Sequence, residues 1–203
     1  MGIINADKIR NVALIGHGGE GKTSLAESML YISRVTDRLG NIADGNTVCD
    51  YDPEETKRQY SISTSVIPVN FEGCKINVLD NPGFFDFAGE IVQSLRVADA
   101  GLIVLSGKGG IAVGTEKAWA ALKKANLPTM FYMSKMDEDN ANYYKVVDDL
   151  RAQFGNTVVP LQFPMMNGEK CIGLVDVLSK TARDTQGNDV ALTPLAEERL
   201  EEY

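Results

Sequence analysis

The run Gly16-His17-Gly18-Gly19-Glu20-Gly21-Lys22-Thr23 follows an apolar stretch at residues 11–15 and precedes a segment in which Leu25, Met29 and Ile32 recur near helical spacing. It satisfies G-x-x-x-x-G-K-[ST] between a strand and a helix, the setting in which a backbone can cradle phosphate. Glycines let the main chain curl until successive N–H groups converge on phosphate oxygens, and the helix N-terminus adds partial positive charge. His17, Gly18, Gly19, Glu20, Gly21, Lys22, Thr23 and Ser24 are therefore the expected phosphate-binding residues. Lys22 is expected to reach the β and γ phosphates and to act catalytically there, and the Thr23 hydroxyl to ligate Mg2+.

The rest of the chain fits an α/β protein with the P-loop NTPase fold, a largely parallel sheet flanked by helices. Strands are expected at residues 11–15, 62–69, 75–80, 101–105 and 129–134. Helical spacing recurs at Ile91, Leu95 and Ala98, at Ala118, Trp119 and Leu122, and at Tyr143, Val147, Leu150 and Phe154. Residues 36–61 are polar and without period, too long for an ordinary connection, which marks a functional or mobile loop. Beyond Gly155 the pattern changes: Pro160, Pro164, Gly168 and Gly173 punctuate two short runs at 158–163 and 171–178, read as a small β lobe. Thr193-Pro194 is a helix start, with Thr as cap and Pro in the first turn. The expected division is a nucleotide-handling core at 1–157 and a lobe beginning at 158–203, and the abrupt stop suggests the front part of a longer chain.

Two further strand ends carry chemistry. The third expected strand ends in Asp80-Asn81-Pro82-Gly83, which puts Asp80 where it can hold Mg2+ and the Gly83 N–H where it can sense a γ-phosphate. The fifth ends in Ser134-Lys135-Met136-Asp137. A carboxylate at Asp137 accepts from both the ring N–H and the exocyclic amine of guanine, a donor pair that adenine lacks, and the stem of Lys135 can lie across the purine. GTP or GDP is thus the expected ligand, rather than ATP.

Composition narrows the alternatives. The chain has 203 residues, with 28 Asp plus Glu against 20 Lys plus Arg and a net charge of −8, which argues against a domain that holds DNA through its phosphates. His17 is the one histidine, so histidine-based metal clusters and a Ser-His-Asp triad are excluded. Cys49, Cys74 and Cys171 are odd in number and widely spaced, and are read as reduced thiols. Met1-Gly2 opens no myristoylation signal, because Ala6 stands where Ser or Thr is wanted, and no apolar run is long enough for a membrane span. A cytoplasmic monomer is expected. Ser106-Gly107-Lys108-Gly109-Gly110 is read as a turn, Phe84, Phe85 and Phe87 as packing, Met165-Met166 as core, Asp148-Asp149 as a solvated face, and His17 chiefly for its backbone.

Taken together, these motifs resemble those of the translational GTPases, above all the nucleotide-binding domain of elongation factor G and its paralogues. Asp80-Asn81-Pro82-Gly83-Phe84-Phe85-Asp86-Phe87 is similar to that family's DTPGHVDF, Ser134 to Asp137 to its NKMD, and Arg58-Gln59-Tyr60-Ser61-Ile62 to its RGITI. Val159-Pro160-Leu161-Gln162 and Gly173-Leu174-Val175-Asp176 resemble the start of the small α+β lobe inserted in that domain. The resemblance implies a Mg2+-dependent GTP switch, a GTP hydrolase, acting on the ribosome, and a metal set of Thr23, Ser61 and Asp80. It leaves translocation, ribosome protection and recycling open.

The departures carry their own implications. Phe84 stands where the family has a histidine that orients the attacking water, which implies slow or atypical hydrolysis, or a module that binds nucleotide without turning it over. Ser61 replaces the family threonine yet keeps a hydroxyl, and Tyr60 replaces an isoleucine. Gly19 replaces an aspartate, putting monovalent-cation assistance in question, and Ser134 for Asn implies a weaker tie between base pocket and P-loop.

Overall fold

The computed structural model describes residues 4–167 and 170–203; Met1, Gly2 and Gly168, singled out above, lie outside them. The chain packs as two compact units, one running to Ala141 and the other from Asn142 to Tyr203.

The first unit is built on a five-stranded sheet. Its strands are β1 (Ile9–Ile15), β2 (Ser65–Phe71), β3 (Cys74–Asp80), β4 (Ala100–Ser106) and β5 (Thr129–Ser134), in the order β2-β3-β1-β4-β5. All neighbours are parallel except β2, which runs antiparallel to β3. β1 is central, and a central strand must be apolar on both faces. Leu14 packs on one side with Ala26 and Leu30 of α1 (Lys22–Ile32) and with Ile67 and Val78. Ala13 and Ile15 pack on the other side with Ile103 and with Ala118 and Leu122 of α4 (Val113–Lys124). Ile91 and Leu95 of α3 (Ala88–Leu95) join that second layer, as does Phe131, whose ring stacks on Trp119 at 5.5 Å. Losing a fully buried side chain such as Leu122 to alanine costs about 2–5 kcal/mol.

Parallel order sends the carboxyl ends of β1, β3, β4 and β5 to one edge, so the three motif loops share it. Two expectations are revised here. Residues 36–61 include a short helix, α2 (Pro53–Arg58), whose start is fixed by a capping box between Asp52 and Glu55 with Pro in the first turn. β2 begins at Ser65 rather than at 62, because the Ile62 and Ser63 amides bind the Glu55 carboxylate instead of a neighbouring strand.

The second unit holds α5 (Tyr143–Phe154), a four-stranded antiparallel sheet and α6 (Pro194–Glu202). Its strands run in sequence order: β6 (Gln162–Asn167), β7 (Lys170–Asp176), β8 (Thr181–Asp184) and β9 (Asp189–Val190). The run at 158–163 thus enters the sheet only at its end, and β8 and β9 lie outside the strands expected. Phe163, Met165, Val175, Ala182 and Ala196 form the core, against which Tyr143, Leu200 and Tyr203 pack. Thr193 caps α6 by accepting from the Ala196 amide, and the Tyr203 ring meets Phe163 edge-on at 5.6 Å. Asp148 and Asp149 are solvated, as expected, whereas of the two methionines Met165 is core and Met166 half-buried.

Candidate functional site

The chain leaves β1 at Gly16, so close to β4 that a Cβ there would collide with the Val104 backbone. Gly19 and Gly21 adopt φ of 77° and 88°, a left-handed conformation that lets the loop curl before α1 begins at Lys22. The Lys22 ammonium lies inside this curl, donating to the carbonyls of His17 at 2.7 Å and Gly16 at 3.2 Å. It is 6% exposed, and burial pushes its pKa below the ordinary lysine value, partly offset by Asp80 and Glu20. Gly83 presses on this loop: a Cβ there would come within 2.7 Å of the Gly18 amide nitrogen and would meet the Lys22 ammonium. Ser24 is exposed in the first turn of α1. Glu20 is buried, with Oε2 lacking a partner.

Next to Lys22 the three expected metal ligands come together. The Thr23 hydroxyl donates to Asp80 at 2.7 Å and lies 3.1 Å from the Ser61 hydroxyl. Ser61 in turn donates to Asp50 at 2.7 Å. Asp50 was missed in the sequence, since an aspartate in a polar loop carries no signal of its own. Burial pushes the Asp80 carboxyl up to about 7, against the opposing pulls of the Thr23 hydrogen bond and Lys22. Burial raises the Asp50 pKa as well, against its bond from Ser61. Asp80 Oδ1 and Asp50 Oδ2 are buried without a hydrogen-bond partner. Two orphaned carboxylate oxygens beside two hydroxyls suit a hard, oxygen-seeking cation such as Mg2+. Among the described residues no group of three or more His, Cys, Asp or Glu side chains could hold a metal, so further ligands must come from hydroxyls, water or the nucleotide.

The segment that delivers Ser61 is held by buried glutamates that the sequence did not single out. Glu27 of α1, fully buried, accepts from the Val48 and Cys49 amides at 2.6 and 3.0 Å. Glu55, 2% exposed, accepts from Ile62 and Ser63 at 2.8 and 3.0 Å. Only their partners, 21 and 22 residues away for Glu27 and 7 and 8 for Glu55, reveal their roles.

At the base end, the Ser134 hydroxyl lies 2.8 Å from the Glu20 carbonyl and 3.1 Å from that of Leu105. The shorter side chain therefore still reaches the P-loop. Lys135 takes φ 54°, and its ammonium lies 3.7 Å from Glu138; both Lys135 and Asp137 are exposed. Residues 106–110 form the expected turn: Ser106 Oγ accepts from the Lys108 and Gly109 amides, and Gly110 N–H closes on the Ser106 carbonyl.

Aromatic rings cover the other side of the P-loop. A Cβ on Gly18 would lie 3.1–3.3 Å from the Phe84 ring, and that ring packs on Tyr60 with centroids 4.7 Å apart. Phe87 lies 6.5 Å from Tyr60, while Phe85 sits 6.0 Å from His17 under the Lys117 ammonium at 3.6 Å. The three cysteines are free thiols.

The chain is similar to known proteins in both sequence and fold. A family model described as the elongation factor Tu GTP binding domain matches residues 7–198. Ribosome-releasing factor 2, mitochondrial, of Anopheles gambiae is 34% identical over 203 residues, covering 98% of this chain and 28% of that protein. Elongation factor G 2 of Borreliella burgdorferi is 35% identical over 170 residues, covering 84% of this chain and 25% of that protein. A crystal structure of a protein from Thermus thermophilus superposes with a TM-score of 0.91 at 37% identity, covering 96% of this chain and 30% of that one. The chain spans about a quarter of the length of the curated relatives it matches. Because the family match runs from before β1 to within α6, it takes in the Gly16–Thr23 loop, the strand-end motifs and the antiparallel sheet alike, and the chain belongs to the translational GTPases as a G domain of the elongation factor G type.

Proposed function

We propose that this chain is the Mg2+-dependent GTP-binding part of a translation factor of the elongation factor G type, whose GTP hydrolysis is coupled to the ribosome. The observation that carries the reading is the convergence of Lys22, Thr23, Ser61 and Asp80 at one sheet edge, with orphaned oxygens on Asp80 and Asp50. Residues 16–24 would wrap the phosphates, and Lys22 would shift from the loop carbonyls to the β and γ oxygens. A Mg2+ at Thr23, Ser61 and Asp80 would neutralise charge on those phosphates. Gly83, already against the loop, would offer its N–H to the γ-phosphate. At the other end Ser134, Lys135 and Asp137 would receive guanine. In this reading residues 1–157 act as the GTPase core and 158–203 begin the inserted lobe, although α5, which falls within the first of these ranges, packs with the second unit. In the same reading the chain works as a monomer in the cytoplasm and binds neither membrane nor DNA.

Hydrolysis is slow in this reading. Phe84 packs against Gly18 and Tyr60 and offers no group to orient a water, so the positioning of the attacking nucleophile loses that side chain's help. The same ring favours a second reading, a nucleotide-dependent binding module that does not turn over. Single-turnover hydrolysis with and without ribosomes separates the two: ribosome-stimulated phosphate release rules out the non-hydrolysing module. Phe84→His is expected to raise the rate by about tenfold or more. An unchanged rate would mean that the missing histidine is not the limiting defect.

A further inference from the structure

Asn81 separates the Asp80 carboxylate from Pro82-Gly83, and it is fully buried. Every hydrogen-bonding position of its amide is used. Nδ2 donates to the Leu79 and Leu14 carbonyls at 2.9 and 3.1 Å, while Oδ1 accepts from the Ser94 hydroxyl at 2.6 Å and the Thr64 hydroxyl at 3.0 Å. Carbonyls can only accept, which fixes the amide with its NH2 toward β1 and β3 and its oxygen toward the hydroxyls. Its backbone N–H also donates to Leu14 at 3.3 Å. The side chain thus joins β1, the end of β3, α3 through Ser94, and the segment after Ser61 through Thr64, and the two hydroxyls it gathers lie 3.3 Å from each other.

Thr64 is gripped a second time, by Glu90 of α3, whose carboxylate accepts the Thr64 amide at 2.8 Å. Together with the bonds from Ile62 and Ser63 to Glu55, this leaves residues 62–64 held by carboxylates on two helices rather than by a strand partner. A stretch held in this way can be released by losing side-chain bonds, without breaking the sheet. Three residues upstream of Thr64, the Ser61 hydroxyl meets Thr23 and Asp50.

We propose that Asn81 is a positioning residue that binds α3 to the segment carrying Ser61, through Ser94 and Thr64, so that Ser61 is presented to Thr23 and Asp80 only while α3 is docked. The role rests on the Mg2+–nucleotide reading above for its purpose, though not for its geometry. The Ser61 segment and α3 are then coupled through protein groups alone, in addition to any coupling through a phosphate.

Amide hydrogen exchange on the whole chain tests this with Thr64→Val, Thr64→Ser and Ser94→Ala. Thr64→Val keeps the shape and the Glu90 bond but removes the hydroxyl, whereas Thr64→Ser restores it. Thr64→Val and Ser94→Ala are each expected to speed exchange at the Ile62, Ser63 and Thr64 amides by about fivefold or more, with Thr64→Ser near the parent. Faster exchange from Ser94→Ala confined to α3, equal damage from Thr64→Ser and Thr64→Val, or uniform acceleration through β1 and β4 would each overturn the proposal. With Mg2+ present, Thr64→Val is also expected to lower the preference for GTP over GDP by about fivefold. A full preference despite faster exchange would overturn the role. A parent chain that binds neither nucleotide would instead defeat the functional reading, a result distinct from a variant that binds both without preference.

Discussion

The proposed phosphate end and the proposed base end of the site are built by opposite means. At the phosphate end Lys22, Thr23, Asp50 and Asp80 are all buried, and two of their oxygens lack partners. At the base end Lys135 and Asp137 are exposed, and the loop is tied to the P-loop by the Ser134 hydroxyl. Buried, unsatisfied polar groups cost stability, so the phosphate end is organised in advance at the expense of the fold. The base end, with its charged side chains exposed, costs the fold little. Affinity should therefore reside with the phosphates and discrimination with the base.

Lys22→Ala should produce the largest effect, a loss of nucleotide affinity of about 100-fold, equivalent to about 3 kcal/mol, measured by titration with labelled GDP. Asp80→Asn comes next, and it separates cost from function. A carboxyl raised from 3.8 to about 7 on folding binds its proton more tightly in the folded state, so its contribution to stability falls as pH rises from about 4 to about 7. Removing the charge should raise the unfolding free energy by on the order of 2 kcal/mol at pH 8 and leave it unchanged near pH 3, in denaturant titrations at the two values. The same variant should bind nucleotide about tenfold or more weakly in Mg2+. Loss of stability at pH 8 would break the contrast between the two ends. Ser134→Ala should have the smallest effect, a loss in GTP affinity of about fivefold or less, because it removes one hydroxyl donor. A larger loss would show that the base end is as pre-organised as the phosphate end.

How far the sequence revealed these ends follows from the range of the interactions. β1, β3 and β4 were legible because buried parallel strands are apolar runs, β5 because Met130, Phe131, Tyr132 and Met133 make an apolar run even on a half-exposed edge, and the P-loop because its glycines and lysine are contiguous. The Ser134 tie shows the limit: residue type suggested a weakened contact, whereas backbone placement at the end of β5 brings the hydroxyl to Glu20. The Asp52-Pro53-Glu54-Glu55 start of α2 was present in the sequence, but a helix of six residues has too little apolar period to stand out. Glu27, Asp50 and Asn81 were illegible, since each acts on partners far along the chain. The β8–β9 pair was hidden for another reason: β9 has two residues, and the turn at Asp184, Gln186 and Asn188 is held by side-chain bonds.

We propose a guanine-nucleotide site whose base end, though exposed, selects the base. Equilibrium titration of the chain with labelled GTP, GDP and ATP in Mg2+ tests it most directly. GTP and GDP are expected to bind, and ATP about 100-fold more weakly, because Asp137 meets two donors on guanine and none so placed on adenine. ATP binding as tightly as GTP would contradict it.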